Sequence, residues 1–208
     1  LFPKGLIKGT THTCLGQESN AVGVISALNK NDIVVSNHRC HGHYLAHTND
    51  YKGLLLEIMG KKDGICGGIG GSQHLYYNNI FYSNGILGGN IPMATGLAYA
   101  QQIKKSGKIV CLFIGDGTFG EGILYESLNI ISKKRLPILI VVEDNFIAQT
   151  TFTNETLPGD IHKKMESFEI ETKTLEFPNL FDLKSHSDKI IHNVRNSYPF
   201  CLNIKSNR

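Results

Sequence analysis

Two side chains that carry oxygen ligands follow apolar segments with the length of buried strands. Asp116 comes after the apolar residues 108–114, within a Gly-Asp-Gly triplet, and Asn145 follows the apolar residues 138–142. The two positions are 145 − 116 = 29 residues apart, which accommodates one helix and one strand. Carboxylate and amide oxygens suit a hard cation such as Mg²⁺ or Ca²⁺, and that cation would bind diphosphate oxygens. The pair therefore predicts a cation–diphosphate site.

The same glycines also match the pattern of another cofactor. Gly115, Gly117 and Gly120 fit G-x-G-x-x-G, and Glu143 lies 143 − 120 = 23 residues further on, as in a dinucleotide-binding fingerprint. Asp116 disfavours this interpretation, because a carboxylate in the loop would repel a pyrophosphate that sits directly on the glycine backbone. An NAD-binding Rossmann-type oxidoreductase is therefore the alternative.

Asp116 and Asn145 lie in a predicted β-α-β unit. Residues 108–114 and 138–142 are continuous apolar strands, and apolar residues recur at helical spacing between positions 123 and 131. Such strands are typical of parallel sheets that are covered on both faces, and ligands bind at their carboxyl ends. We predict an α/β fold with a parallel sheet and helices on both faces.

Weaker patterns predict the remaining elements. We expect helices from Glu18 to about Asn29 or Asn31 and at residues 51–60, 91–103 and 187–195, and strands at residues 33–35 and 200–204. Residues 81–89 are rich in turn formers, and residues 149–160 are predicted to be a loop. The glycine-dense residues 64–74 are either a plain linker or a loop that stays mobile until a ligand orders it.

A dense polar segment follows the strand at residues 33–35. Arg39 lies in its middle and can bind phosphate with its planar guanidinium. His38, His41 and His43 supply three nitrogens, so a zinc site is conceivable, although Arg39 makes the segment a poor cation site. Phosphate or substrate contact, hydrogen-bonded histidines and zinc remain open from the residues alone.

Composition excludes several classes of protein. The formal charge of +3 over 208 residues is too small to indicate nucleic-acid binding. No apolar run approaches the roughly 20 residues of a membrane-spanning helix. The five cysteines are scattered without a CxxC pair, which is typical of reduced thiols and predicts a cytoplasmic protein.

The Gly-Asp-Gly triplet followed by Asn145 resembles the thiamine diphosphate motif. Four further short segments extend this resemblance. They are HTCLGQE at residues 12–18, HRCHGH at 38–43, GGSQH at 70–74 and NGILG at 84–88. In this order they resemble the alpha subunit of the thiamine diphosphate-dependent first component of 2-oxo acid dehydrogenases, the pyruvate, branched-chain and acetoin group. The segment with His38 before Arg39, and with His43 at its end, is most similar to the corresponding segment of acetoin dehydrogenases. The resemblance covers about residues 11–151.

The resemblance implies a thiamine diphosphate-binding fold with Mg²⁺ and a set of site residues. Mg²⁺ would be bound by Asp116, Asn145 and the backbone carbonyl of Ile147. The cofactor would be contacted by His38, Arg39, Gly85, Leu87, Gly115, Gly117 and Thr118, with Gly85 and Leu87 holding the aminopyrimidine through main-chain groups. The catalytic candidates are His12, which would face the substrate channel, and His41 and His74.

The resemblance also implies a partner. In the family, a glutamate of a separate beta subunit activates the aminopyrimidine, and Glu18, Glu121 and Glu143 match other positions. We therefore expect this chain to be inactive alone and to form a two-alpha, two-beta heterotetramer, with an acyltransferase as a further partner. A scaffold relative without catalytic activity is a second alternative.

Two departures leave the substrate open. Ile69 stands where relatives often have Lys or Arg, and Gln73 replaces the usual Met. We expect residues 1–208 to form a single thiamine diphosphate-binding domain that is incomplete at both ends.

Overall fold

A computed structural model, which describes residues 2–7 and 9–207, contains a seven-stranded sheet with the strand order β2-β3-β1-β4-β5-β9-β8. Every neighbouring pair is parallel except β2 and β3. The strands are β1 (Ile33–Ser36), β2 (Tyr76–Tyr77), β3 (Phe81–Ser83), β4 (Val110–Gly115), β5 (Ile138–Asp144), β8 (Glu171–Glu176) and β9 (Phe200–Lys205). A separate hairpin pairs β6 (Ile147–Ala148) with β7 (Thr151–Phe152).

Eight α-helices and two 3-10 turns complete the part of the chain that the structure describes. The helices are α1 (Glu18–Ile25), α2 (His41–Thr48), α3 (Tyr51–Ile58), α4 (Asn90–Lys104), α5 (Gly122–Lys134), α6 (Thr153–Thr156), α7 (Ile161–Glu166) and α8 (Leu180–Arg195). The 3-10 turns are Phe2–Lys4 and Asp116–Gly120. Among the residues described, no helix has the length and apolarity needed to cross a membrane.

Helices cover both faces of the sheet, which confirms the predicted α/β architecture. One face packs Val34, Phe113 and Val141 against helices α1, α2, α3 and α8. The other face packs Leu112 and Val142 against α4, α5 and α7. The central strands β4 and β5 are therefore buried from both sides, as their continuous apolar sequences predicted.

The sequence patterns missed the polar and short elements. β8 has the sequence ETKTLE and lies at the edge of the sheet, where half-exposed positions tolerate charge. β3 is only three residues long and lies in the turn-rich segment. Helix α8 begins at Leu180 rather than at residue 187, because the Asn179 side chain accepts hydrogen bonds from the N–H groups of Phe181 and Asp182 and caps the helix there.

Candidate functional site

The predicted cation ligands lie at the carboxyl edge of the sheet. β4 and β5 are paired in parallel, with Gly115 opposite Glu143, so Asp116 and Asn145 leave the sheet at the same edge. A cavity of about 190 Å³ opens there. Its lining consists of His12, Gln17, Asn37, His38, Arg39, Gln73, Gly85, Leu87, Gly115, Asp116, Gly117, Glu143, Asn145, Ile147, Ala148 and Gln149.

Asp116 is fixed in place by hydrogen bonds to both carboxylate oxygens. The side chain is 4% exposed. Its Oδ1 accepts the N–H of Gly117 at 2.9 Å, and its Oδ2 accepts the hydroxyl of Thr153 at 2.6 Å. A carboxylate has about four lone-pair positions, so each oxygen retains one for a cation.

Asn145 and Ile147 belong to a tight turn between β5 and β6. The Asn145 Oδ1 accepts the N–H of Ile147 at 3.2 Å. Phe146, which lies between them, has a φ of 65°, a left-handed conformation that costs a non-glycine residue about 1–2 kcal/mol. Such strain is typical of functional sites, where the surrounding structure enforces it.

A second carboxylate lies beside this turn. Asp144 is buried, and its Oδ1 accepts the N–H of Phe146 at 3.2 Å. Burial raises the pKa of Asp144 above its ordinary value, and the charge of Asp116 acts in the same direction. A cation near both carboxylates would offset their mutual repulsion.

The same cavity also carries basic and aromatic groups. Arg39 lines it, and its Nη1 donates to the carbonyl of Thr13 at 2.6 Å. The rings of His12 and His38 meet edge to face, with their centroids 4.8 Å apart. The cavity thus has groups suited to a cation and groups suited to an anion.

Gly85 and Leu87 form another part of the wall. A β-carbon at Gly85 would lie 2.0 Å from the Oε1 of Gln73, so the glycine permits the close approach of Gln73, which also lines the cavity. Ten of the thirteen predicted site residues therefore surround this one cavity: His12, His38, Arg39, Gly85, Leu87, Gly115, Asp116, Gly117, Asn145 and Ile147.

Three predicted residues do not line the cavity. The His41 Nε2 lies 2.9 Å from the carbonyl oxygen of Ser72 and 3.0 Å from its hydroxyl, and burial lowers the pKa of this histidine. His74 is exposed, and Thr118 is buried in the 3-10 turn. Their predicted roles remain predictions.

The glycine-rich loop (residues 64–74) is held by hydrogen bonds to a side chain of helix α3, so it is not a plain linker. The buried carboxylate of Glu57 accepts four backbone N–H groups from it. Oε2 accepts the N–H groups of Cys66 at 2.7 Å and Gly68 at 2.9 Å. Oε1 accepts those of Gly70 at 2.7 Å and Gly71 at 3.1 Å. The sequence pattern missed this role because Glu57 lies within helix α3, where it looks like a surface residue.

Glu143, which completes the dinucleotide-type pattern in the sequence, lines the cavity. It is 3% exposed, and its Oε1 lies 3.5 Å from the Nε2 of His43. Burial acts to raise the pKa of Glu143, but the combined influence of His43, Asn20 and Asn37 outweighs burial, so the pKa is lowered. The signal for this buried pair was a charged residue at the end of an otherwise apolar strand.

The three histidines of the polar segment face different partners, which disfavours a zinc site. His43 contacts Ser36 and Glu143, His41 contacts Ser72, and His38 lines the cavity. Within residues 2–7 and 9–207, no group of three or more His, Cys, Asp or Glu side chains is arranged to hold a metal ion. The donor set of Asp116, the Asn145 amide and a backbone carbonyl fits a hard cation that completes its shell with ligand oxygens.

Comparison with solved structures supports the fold. The chain is similar, with a TM-score of 0.63 and 18% sequence identity, to an enzyme from Mycobacterium smegmatis that is assigned as thiamin diphosphate-dependent. The match covers 91% of this chain and 32% of that one.

Comparison with protein families and curated relatives gives the family. The model of the dehydrogenase E1 component matches residues 1–164. The pyruvate dehydrogenase E1 component subunit alpha of Rickettsia prowazekii is 32% identical over all of this chain and 65% of its own length. The alpha subunit of acetoin:2,6-dichlorophenolindophenol oxidoreductase from Cupriavidus necator is 33% identical over 93% of this chain and 59% of its own length. The corresponding subunit from Bacillus subtilis is 31% identical over 94% of this chain and 60% of its own length. The chain thus spans about two thirds or less of these relatives, and it belongs to the dehydrogenase E1 component family.

Proposed function

We propose that the chain is the alpha subunit of a 2-oxo acid or acyloin dehydrogenase that depends on thiamine diphosphate and Mg²⁺. The observation that carries the proposal is the position of Asp116 and Asn145 on one cavity, at the carboxyl ends of two adjacent parallel strands. The names of the pyruvate and acetoin relatives support the substrate class, and the similar Mycobacterium structure supports the cofactor.

The residues divide the binding of the cofactor between them. Asp116, Asn145 and the Ile147 carbonyl would bind Mg²⁺, which would neutralise the diphosphate. Arg39 and His38 would bind diphosphate oxygens, and a guanidinium suits this role because it is planar and always charged. Backbone groups of Gly115, Gly117 and Thr118 would add contacts, while Gly85 and Leu87 would hold the aminopyrimidine.

Thiamine diphosphate, when bound, supplies a carbanion nucleophile and an electron sink for cleavage beside a carbonyl group. The protein positions the reactants and moves protons. His12 lines the cavity and is the candidate that contacts the substrate. His41 and His74 remain candidates for proton transfer once a partner subunit closes the site.

A beta subunit completes the site. The aminopyrimidine requires a carboxylate partner, and Glu143 is not the candidate because it matches another position of the family's motifs. We therefore expect a glutamate of a beta subunit to act there, in a two-alpha, two-beta heterotetramer, with an acyltransferase as the next component for a dehydrogenase complex.

Calorimetric titration with thiamine diphosphate and with NAD, each with Mg²⁺ and with a chelator, tests the proposal. We expect thiamine diphosphate to bind only with Mg²⁺ and NAD not to bind. Binding of NAD in the presence of the chelator would favour the dinucleotide alternative. Absence of binding by thiamine diphosphate in a preparation that contains the beta subunit would favour a scaffold.

A further inference from the structure

Thr153 connects the two chain segments that carry the proposed Mg²⁺ ligands. Its hydroxyl donates to the Oδ2 of Asp116 at 2.6 Å. Its backbone N–H donates to the carbonyl of Phe146 at 2.9 Å, between Asn145 and Ile147. One residue thus contacts the strand-end loop after β4 and the turn after β5, although it follows Asp116 by 153 − 116 = 37 residues.

The hairpin of β6 and β7 brings Thr153 to this place. Ile147 pairs with Phe152 and Ala148 pairs with Thr151, so the chain returns to the Asn145 turn just as β7 ends. Thr153 is half-buried and begins helix α6. Its position is therefore determined by backbone pairing and not by a flexible side chain.

The contact leaves the Asp116 carboxylate able to bind a cation. Gly117 and Thr153 occupy one lone pair on each oxygen, and one position on each oxygen is left for a metal. Hydrogen bonds of this kind to a metal-ligating carboxylate determine the direction in which its oxygens point. The hydrogen bonds to both carboxylate oxygens thus restrict the rotation of the Asp116 side chain.

We propose that Thr153 is a positioning residue for the divalent cation: it orients the Asp116 carboxylate and holds the Asn145–Ile147 turn beside it. This inference rests on the proposed function, because it concerns the same cation. The Thr153 hydroxyl stabilises the arrangement that the cation requires, and its loss weakens cation binding without removing a ligand.

The opposite hypothesis predicts a change in Mg²⁺ affinity in the opposite direction. If the hydroxyl merely occupied Asp116 and had to be displaced by the metal, its removal would strengthen cation binding. The direction of the change in Mg²⁺ affinity therefore separates positioning from competition.

The test measures the Mg²⁺ concentration that half-saturates thiamine diphosphate binding in the full-length protein. Thr153→Val keeps the shape of the side chain and removes the donor, and we expect it to raise this concentration by about 10- to 100-fold, as is typical for loss of an outer-shell partner. Thr153→Ser retains a hydroxyl and is expected to stay close to wild type. Thr156→Val is the matched control, because the Thr156 hydroxyl donates to the carbonyl of Thr153 at 3.4 Å.

Hydrogen exchange gives a second readout. Mg²⁺ with thiamine diphosphate is expected to slow amide exchange in residues 145–153 of the wild type, and to do so less in Thr153→Val at equal occupancy. A Thr153→Val protein that binds Mg²⁺ as tightly as wild type, or more tightly, overturns the inference while leaving the proposed function intact. A wild-type protein that binds no thiamine diphosphate contradicts the proposed function, and this inference falls with it.

Discussion

A β-carbon at Gly117 would lie 2.9 Å from the β-carbon of Ala148, closer than two such atoms approach in proteins. The Gly-Asp-Gly loop and strand β6 therefore contact each other directly. The neighbouring Ala148 requires the glycine here. A left-handed backbone does not, since the φ of Gly117 is not positive. This contact brings Asp116 and the Asn145–Ile147 turn together.

Gly117→Ala is expected to displace the β6–β7 hairpin and to weaken binding of thiamine diphosphate by about 10-fold or more, because overpacking of this kind costs about 1–3 kcal/mol. Ala148→Gly should restore space, so the double variant Gly117→Ala/Ala148→Gly is expected to recover most of the affinity. Calorimetry on the three variants checks this. Equal loss in the single and double variants would mean that the contact is not the cause.

Glu57→Gln is expected to loosen the glycine-rich loop. The amide oxygen can accept two of the four N–H groups, and the other two would face an NH₂ group. Each buried N–H without an acceptor costs about 1–3 kcal/mol, so we expect a loss of about 2 kcal/mol or more in the free energy of unfolding. Urea denaturation and hydrogen exchange at residues 66–71 measure the two effects.

The exposed Glu126 on helix α5 is the control for this variant. Glu126→Gln is expected to leave stability and loop exchange unchanged. If Glu57→Gln behaved in the same way, the carboxylate would not be what holds the loop.

Arg39→Lys is expected to weaken binding of Mg²⁺ with pyrophosphate by about 10-fold. Lysine keeps the positive charge but loses the planar fork that contacts two phosphate oxygens at once. Pyrophosphate is the appropriate probe because it isolates the diphosphate from the organic part of the cofactor. Unchanged affinity would place the diphosphate away from Arg39.

Stability is expected to fall as the pH drops below 6.5. Burial lowers the pKa of His41 and of His47 below that ordinary value, so the unfolded state binds more protons than the folded state in the window just beneath it. Asp144 has the opposite effect on stability above pH 3.8, because its raised pKa makes the folded state bind more protons than the unfolded state there. Urea denaturation of wild type and of His41→Gln/His47→Gln between about pH 7.5 and 5 isolates the histidines. The double variant should show the smaller slope, and identical slopes would contradict the assignment.

The sequence predicted the central fold and the meeting of Asp116 and Asn145 because both depend on strong local signals. β4 and β5 are uninterrupted apolar runs, and the residues that follow buried parallel strands must meet at one edge. Asp116 and Asn145 could therefore be placed together without a structure.

Contacts that depend on tertiary packing could not be predicted in this way. The Thr153 hydroxyl reaches Asp116 only because the hairpin folds back, and residues 149–160 have no periodicity that predicts it. Glu57 and His43 are polar residues that became buried through partners distant in the sequence. His41 and His74 were predicted from a motif resemblance, which does not define the direction of a side chain.

In the proposed function, Asp116 and Asn145 jointly bind the cation that holds a diphosphate. The most direct test is the Mg²⁺ dependence of thiamine diphosphate affinity in wild type, Asp116→Asn, Asn145→Leu and the double variant. We predict that each single variant loses most of the Mg²⁺-dependent affinity and that the double variant loses little more, because the two residues serve one ion. Wild-type affinity in either single variant, or binding that is independent of Mg²⁺, would contradict the claim.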